Sequence, residues 1–421
     1  MPVNGREVVQ RFDRLKRGRS QHDERWERMA KYIAPSRVGV TYKNAEGERQ
    51  TREVYDSTTL MAAELMAHFV AGHVISPGQQ WHGLTMRVGL DIADPIQEWL
   101  EECRDITLKN AAASPFYAEG AECLIDWGGF GTGMLLAEEA PQAINRTQRG
   151  FRGFHFVAEK TGRFLIEDGA DGSVDTVFRE FEMSARVIRM RWPDATLPES
   201  IAKSLLGESE KLFKIVQGVY PRPKVEQASY RANGMPYVSC WVEYESKELL
   251  YESGYRVFPA AVPRYHRTPG EVYGRGRGDL AFPDTWTLNT AKRMGLEDWA
   301  LKVRPPVLHA HDSVIGTLKL TPGGPTSVNT HGRPIRDVVV PFETGSHPEV
   351  SQIKEEELRK SIREIFYVDH ILALLEVHKS EQTAFEFARK LELLFKLLGP
   401  VYGRLEHEFL NHIVEIMFDK Q

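Results

Sequence analysis

Residues 284–302 read DTWTLNTAKRMGLEDWALK and residues 348–366 read PEVSQIKEEELRKSIREIF, with a different texture between them. Asp284 is a natural N-cap, and the first run continues without proline to Pro305-Pro306. A helix of roughly 19 residues is about 30 Å long. Residues 307–345 instead scatter prolines and glycines among β-like runs, Val314–Leu320 and Val338–Phe342. Two comparable helices thus flank one small β module, which is the pattern of a stalk carrying a tip.

Working outward, residues 6–33 place Val8, Val9, Phe12, Leu15, Trp26, Met29 and Ile33 at spacings of three and four, predicting one amphipathic helix that ends before Pro35. Asp56-Ser57-Thr58 offers caps for a second helix to about Ile75, stopped by Ser76-Pro77-Gly78. Further helices fit Pro95 to about Ala113 and Tyr117–Phe130, the latter running into Gly128, Gly129, Gly131 and Gly133. From Met134 to about Val262 the chain turns to short β-branched and aromatic runs: Phe164–Ile166, Val174–Phe178, Lys214–Tyr220 and Tyr237–Tyr244. A helical insertion over Ser184–Leu206 interrupts them. Beyond the stalk, Phe385, Ala388, Leu391, Leu394, Phe395 and Leu398 keep helical spacing up to Gly399-Pro400, and Val401–Phe418 reads as a last helix. The fold class is α+β.

The 421 residues carry a formal charge of -5, from 54 basic and 59 acidic side chains. That balance excludes a protein that grips nucleic acid by wholesale phosphate neutralisation, so any DNA contact must be local or weak. Cys103, Cys123 and Cys240 are far apart and form no CxxC, which signals neither a disulfide framework nor a zinc site and fits a reducing cytoplasm. The basic N-terminus lacks the apolar stretch of a secretory signal. Leu65–Ile75 and Ile371–Val377, the most apolar windows, are far shorter than the roughly 20 residues of a membrane span.

Chemistry-bearing strings are few. His309-Ala310-His311-Asp312 could put two imidazoles on one face of a strand, but Ser313 and Val314 stand where a metallo-hydrolase HxHxDH string needs Asp and His. Gly274-Arg275-Gly276-Arg277-Gly278 has the glycines of a phosphate cradle without the Walker or dinucleotide pattern, and reads more simply as a turn feeding the 284–302 helix. Glu355-Glu356-Glu357 reads as a solvated helix face. The N-terminal arginines are interleaved with Asp13, Asp23, Glu24 and Glu27, which also favours a solvated helix.

An ordered series of landmarks nevertheless spans nearly the whole chain. Trp26 with Tyr32-Ile33-Ala34-Pro35 opens it, then Tyr55-Asp56-Ser57-Thr58, Ser76-Pro77, Trp81-His82-Gly83-Leu84, Ser114-Pro115-Phe116-Tyr117 and Gly131-Thr132-Gly133. Later come Tyr273-Gly274-Arg275-Gly276, Ala281-Phe282-Pro283-Asp284 with Leu288-Asn289, and Pro305-Pro306. Gln382-Thr383-Ala384-Phe385-Glu386 with Arg389, and Leu398-Gly399-Pro400 with Arg404-Leu405 and Glu408, close it. Together these resemble the portal, or head-to-tail connector, family of short-tailed, T7-like double-stranded DNA bacteriophages. Arg277-Gly278 departs from the proline usual there, and Phe385 from a small residue.

The resemblance implies a ring, usually of twelve copies. It maps a wing onto residues 1–283, stem helices onto 284–304 and 346–366, a clip onto 305–345, a tunnel loop onto 367–380, a wing helix onto 381–399 and the start of a C-terminal crown onto 400–421. It implies DNA-channel roles for His370, His378 and Lys379, and partner binding by Arg304, His309, His311, Lys319, Arg333 and Arg336 in and beside the clip. The implied partners are duplex DNA, the terminase large subunit, tail adaptors, and the major capsid and scaffolding proteins, with no membrane, no cofactor and no catalytic residue. The implied place is the portal vertex of the virion, after synthesis in the bacterial cytoplasm. A near-neutral chain suits a conduit, because a wall that neutralised many phosphates would resist sliding. The alternatives are another virion structural or adaptor protein, and a metal-dependent hydrolase built on His309 and His311.

Overall fold

In the computed structural model the N-terminal run is two helices, not one: α1 (Gly5–Gly18) and α2 (Ser20–Ile33). Arg19 makes the break. It is 5% exposed, and its guanidinium is held by the Phe164 carbonyl (2.5 Å) and by Asp23 (2.7 Å), so the chain turns to bury it. The structure describes residues 3–37, 54–85, 94–139, 153–223, 234–304, 307–310, 325–328, 348–376 and 399–420, with a few isolated positions besides.

Helices α3 (Thr58–Val74), α4 (Asp94–Ala112) and α5 (Phe116–Phe130) stand where the caps and breakers place them. Asp56 accepts from the Thr58 amide (3.0 Å) at the start of α3. Gly131, at φ +90°, ends α5 in the left-handed conformation that favours glycine. Three strands follow in a small antiparallel sheet of order β2-β1-β8: β1 (Leu135–Glu139), β2 (Phe154–Ala158) and, later, β8 (Ala260–Ala261).

The strands between them form a five-stranded antiparallel meander: β3 (Phe164–Asp168), β4 (Val174–Ser184), β5 (Leu212–Pro221), β6 (Tyr237–Glu243) and β7 (Leu249–Tyr255). Its side chains alternate faces. Phe178, Val216, Val238, Cys240 and Val242 meet Val8, Val9 and Phe12 of α1, while Phe213, Ile215, Trp241 and Leu250 meet Ile188, Trp192 and Ile201 on the other side. The expected single helical insertion is two helices, α6 (Ala185–Arg191) and α7 (Glu199–Gly207), parted by Pro193 and Pro198. On the largely exposed face of α1, Arg11 and Arg14 both reach Glu167 on β3, and Lys16 reaches Glu180 on β4.

The main core joins α2, α3 and α5 to the rest through Trp26, Met66, Val70, Leu124, Trp127 and Phe130. Helix α8 (Arg277–Val303) enters this core and begins at Arg277, not at Asp284. Pro283 lies inside it, which a pattern reading takes as a boundary. Two contacts hold that first turn. Asp279 accepts from the Gly276 amide (2.9 Å), and the glycines of 274–278 interlock with those of 128–131. A Cβ on Gly276 would lie 2.5 Å from the Gly129 carbonyl oxygen, and one on Gly278 would collide with the same carbonyl. These glycines serve backbone-on-backbone packing, so the phosphate-cradle reading falls away; Arg275 is spent on Glu271 (2.5 Å) within the same turn.

Helices α9 (Pro348–Ile365) and α10 (Val368–Glu376) follow. Residues 399–405 are helical, a π-helical turn (Glu406–Asn411) comes next, and α11 (His412–Lys420) completes the described chain. Leu405, Phe409, Ile413 and Met417 carry this last segment into the main core. Of the expected 381–399 helix, only residues 392 and 399 are described, and both are helical.

Candidate functional site

Helices α8 and α9 run antiparallel. Ser361 Oγ donates to Asp284 Oδ2 (2.7 Å), and further along the pair Lys292 meets Glu355 (2.8 Å). Glu355 is therefore 6% exposed and paired, not part of a solvated face, whereas Glu356 stays at the surface.

The root of this pair is locked to the start of α3. Asn289, 3% exposed, accepts through Oδ1 from the amides of Tyr55 (2.8 Å) and Asp56 (3.2 Å), and its Nδ2 donates to the Thr285 carbonyl (2.9 Å). Arg359 on α9 donates twice to Asp56 (2.9 and 3.0 Å) and also reaches Glu355 (3.4 Å) and Glu356 (3.2 Å). Burial alone would raise the Asp56 carboxyl, but the hydrogen bonds from Thr58 and Arg359, with the Arg359 charge, together hold it below its ordinary value. Thr59 and Thr285 share a buried hydroxyl contact (2.8 Å). Sequence reading missed this lock. Its visible signals are that Tyr55-Asp56 and Leu288-Asn289 stand among the landmarks, and that Thr285 and Asn289 are polar residues on the stripe that Ala281 and Leu288 make apolar.

Past Asn289 the same stripe continues, at spacings of three and four, through Lys292, Leu296, Trp299 and Val303. Its cover does not continue. Leu296 is 52% exposed, Trp299 64% and Val303 57%. From Asn289 to Val303 the helix rises about 20 Å. At its far end β9 (Val307–Ala310) pairs in parallel with β10 (Pro325–Val328), with His309 opposite Ser327 in the register.

Among the expected partner-binding residues, Arg304 is exposed at the end of α8 and His309 lies on β9, while His311, Lys319, Arg333 and Arg336 lie outside the described residues. So do the runs Val314–Leu320 and Val338–Phe342. Among the described residues no three His, Cys, Asp or Glu side chains are grouped to hold a metal ion.

The segment expected as a loop over 367–380 is helical from Val368 to Glu376. Helix α10 buries Val368, Ile371 and Leu374 against α3 and α9, which accounts for its apolar composition. Tyr367, at φ +58°, makes the turn from α9 into α10. The Arg277 guanidinium lies 4.5 Å from its ring centre and also donates to the Tyr265 hydroxyl (2.7 Å). His370 is exposed on the outer face of α10, and His378 and Lys379 lie outside the described residues.

A second lock joins the last helical segment to the sheet. Arg264, 1% exposed, donates to Asp168 (2.8 Å), to Glu408 on the π-helical turn (2.6 Å) and to the Gly172 carbonyl (2.8 Å). Of its members only Glu408 stands among the sequence landmarks, and Asp168 reads there only as part of a turn. A π-helical turn shifts the side chains that follow it around the helix axis, and here it accompanies the placement of Glu408 on Arg264.

Helices α8 and α9 thus form an antiparallel pair whose root is tied to the start of α3. A family model described as bacteriophage head to tail connecting protein matches residues 6–420. The chain is 24% identical over 423 residues to a probable portal protein of Bordetella phage BPP-1, covering 98% of this chain and 74% of the relative. It is 23% identical over 421 residues to the portal protein of Salmonella phage epsilon15, covering 98% and 73%.

Proposed function

The chain belongs to the bacteriophage head to tail connecting protein family, and from that we propose that it works as a portal subunit, one copy in a closed ring through which duplex DNA enters and leaves the capsid. Its relatives in Bordetella phage BPP-1 and Salmonella phage epsilon15 carry the portal name. The observation that carries the reading is the bare stripe of α8. Leu296, Trp299 and Val303 extend a stripe that is buried nearer the root, and in a ring the neighbouring copy covers them. Burying a large apolar side chain fully contributes roughly 1.5–3 kcal/mol, so these three half-exposed ones supply about 3–5 kcal/mol to each contact.

On this reading α8 and α9 are the stem, residues 305–345 the clip, and the sheet with its helices the wing. The clip, with Arg304, His309, His311, Lys319, Arg333 and Arg336, docks the terminase large subunit and then tail adaptors, and the wing meets capsid and scaffolding proteins. His370, His378 and Lys379 form a weakly basic collar toward the DNA; the exposure of His370 on α10 supports that placement. A ring of twelve and the narrower T7-like class belong to the same proposal. The work of translocation then falls to a separate ATP-driven motor, and the chain is a structural component. No described helix is long and apolar enough to cross a membrane.

Mass photometry and top-view electron micrographs of the purified protein test this. Closed rings with a central channel are expected, and a stable monomer at micromolar concentration refutes it. Deleting residues 310–340 should leave rings intact and abolish motor docking.

A further inference from the structure

The five-stranded sheet ends in β7, which among the described residues pairs only with β6. Its outer edge offers backbone donors and acceptors to another strand. Beside that edge lies a cleft of about 610 Å³, within the range of ligand clefts, walled along its length by Leu249, Leu250, Tyr251, Glu252 and Ser253 of β7 and on the other side by the α6–α7 connection. A wall made of consecutive strand residues suits an extended chain.

The interior has a definite chemistry. Trp192 packs at 5.1 Å from Trp241 and stacks at 6.2 Å on Tyr251, making three aromatic faces. The exposed side chain of Arg191 already uses them, its guanidinium 4.5 Å from the Trp241 ring centre and 5.3 Å from that of Trp192. Apart from Arg191, the charged lining residues are Glu138, Asp194 and Glu252. Glu252 is paired with Arg222 (2.8 Å), and Glu138 with the Tyr255 hydroxyl (3.1 Å) and Arg179 (3.9 Å), while Asp194 stands exposed at the mouth. Once Arg191 swings out, the cleft presents the aromatic faces it covered with the Asp194 carboxylate at the mouth, which favours a cation over an anion.

We propose that this cleft binds a basic, extended segment of another protein, which adds as a strand to the β7 edge and places an arginine or lysine over the Trp241 and Trp192 ring faces that Arg191 covers. Main-chain bonds to β7 fix its direction, and alternate side chains point into the cleft. Arg191 is the internal stand-in that the incoming cation displaces.

Fluorescein-labelled Val-Arg-Val-Arg-Val, titrated into the full chain and followed by anisotropy, is the direct test. Controls carry glutamate for arginine, or backbone N-methyl groups on alternate residues in either register. The arginine peptide should bind. Asp194→Lys, at an exposed position where folding is not at stake, should weaken binding by about fivefold, and Arg191→Ala should tighten it. One methylation register should abolish binding while the other spares it. The proposal is overturned if the arginine peptide fails to bind at millimolar concentration or the glutamate peptide binds as well. Indifference to Asp194→Lys, or to methylation in both registers, overturns it equally.

Discussion

Replacing Asn289 by leucine probes the junction between body and helix pair at its most specific point. Leucine keeps the branched shape, with a higher helix propensity that offsets a few tenths of a kcal/mol, but removes one oxygen that serves the Tyr55 and Asp56 amides, and one N–H that serves Thr285. A buried donor stripped of its acceptor costs about 1–3 kcal/mol. Tyr55 is 43% exposed, so water recovers part of the loss there, and the expected destabilisation is about 2–4 kcal/mol. Hydrogen exchange of the assembled protein, read on a peptide spanning residues 54–60, localises the effect. Exchange should accelerate about 30- to 1,000-fold there, since each 1.4 kcal/mol is a factor of ten. Peptides from β4 and β5 should stay at their original rates. Unchanged exchange at 54–60, with an unchanged unfolding midpoint, would refute the claim that Asn289 holds the root.

Gly276→Ala should cost more than about 3 kcal/mol and deplete soluble protein, because its Cβ meets the Gly129 carbonyl at 2.5 Å and neither backbone can yield. Gly295→Ala is the contrast: its Cβ meets nothing, and helix propensity predicts a gain of up to about 1 kcal/mol in thermal unfolding. Leu296→Asp combined with Trp299→Asp should leave circular dichroism intact while shifting mass photometry from rings to smaller species. Asp56, held below its ordinary value of 3.8, contributes stability that is present above that pH and lost as pH falls through its lower folded value. Acid titration of unfolding should therefore show a steeper loss below about pH 4 in the parent than in Asp56→Asn, and parallel curves would contradict the Arg359 pairing.

Helices bounded by punctuation were legible. The breaker Ser76-Pro77-Gly78 begins two residues after the end of α3, and Gly131 directly follows α5. Boundaries set by tertiary contact were not. Pro283 and the 274–278 glycines look like a stop, yet α8 runs from Arg277 because glycines about 145 residues earlier in the chain, Gly129 and Gly131, receive its first turn. Arg19 splits a continuous amphipathic pattern because a carbonyl on β3 claims its guanidinium, which local periodicity cannot register. For the same reason the apolar run Ile371–Leu375 resembles a loop lining or a packed helix equally well until α3 lies beside it. The locks at Asn289 and Arg264 depend on pairing across hundreds of positions or nearly a hundred, and single residues of that kind leave no periodic trace.

The glycine interlock at the start of α8 has a mechanical consequence. Side chains absorb load by changing rotamer, but the surfaces of residues 128–131 and 274–278 meet through peptide groups that have no rotamers to change. A push or twist applied at the β9/β10 end of the helix pair thus travels down α8 into α5 with little compliance at the joint. Bending is confined instead to the span beyond Asn289, where the helix pair is held by long charged side chains such as Lys292 and Glu355. The molecule is stiff where the rod enters its socket and yielding along the rod itself.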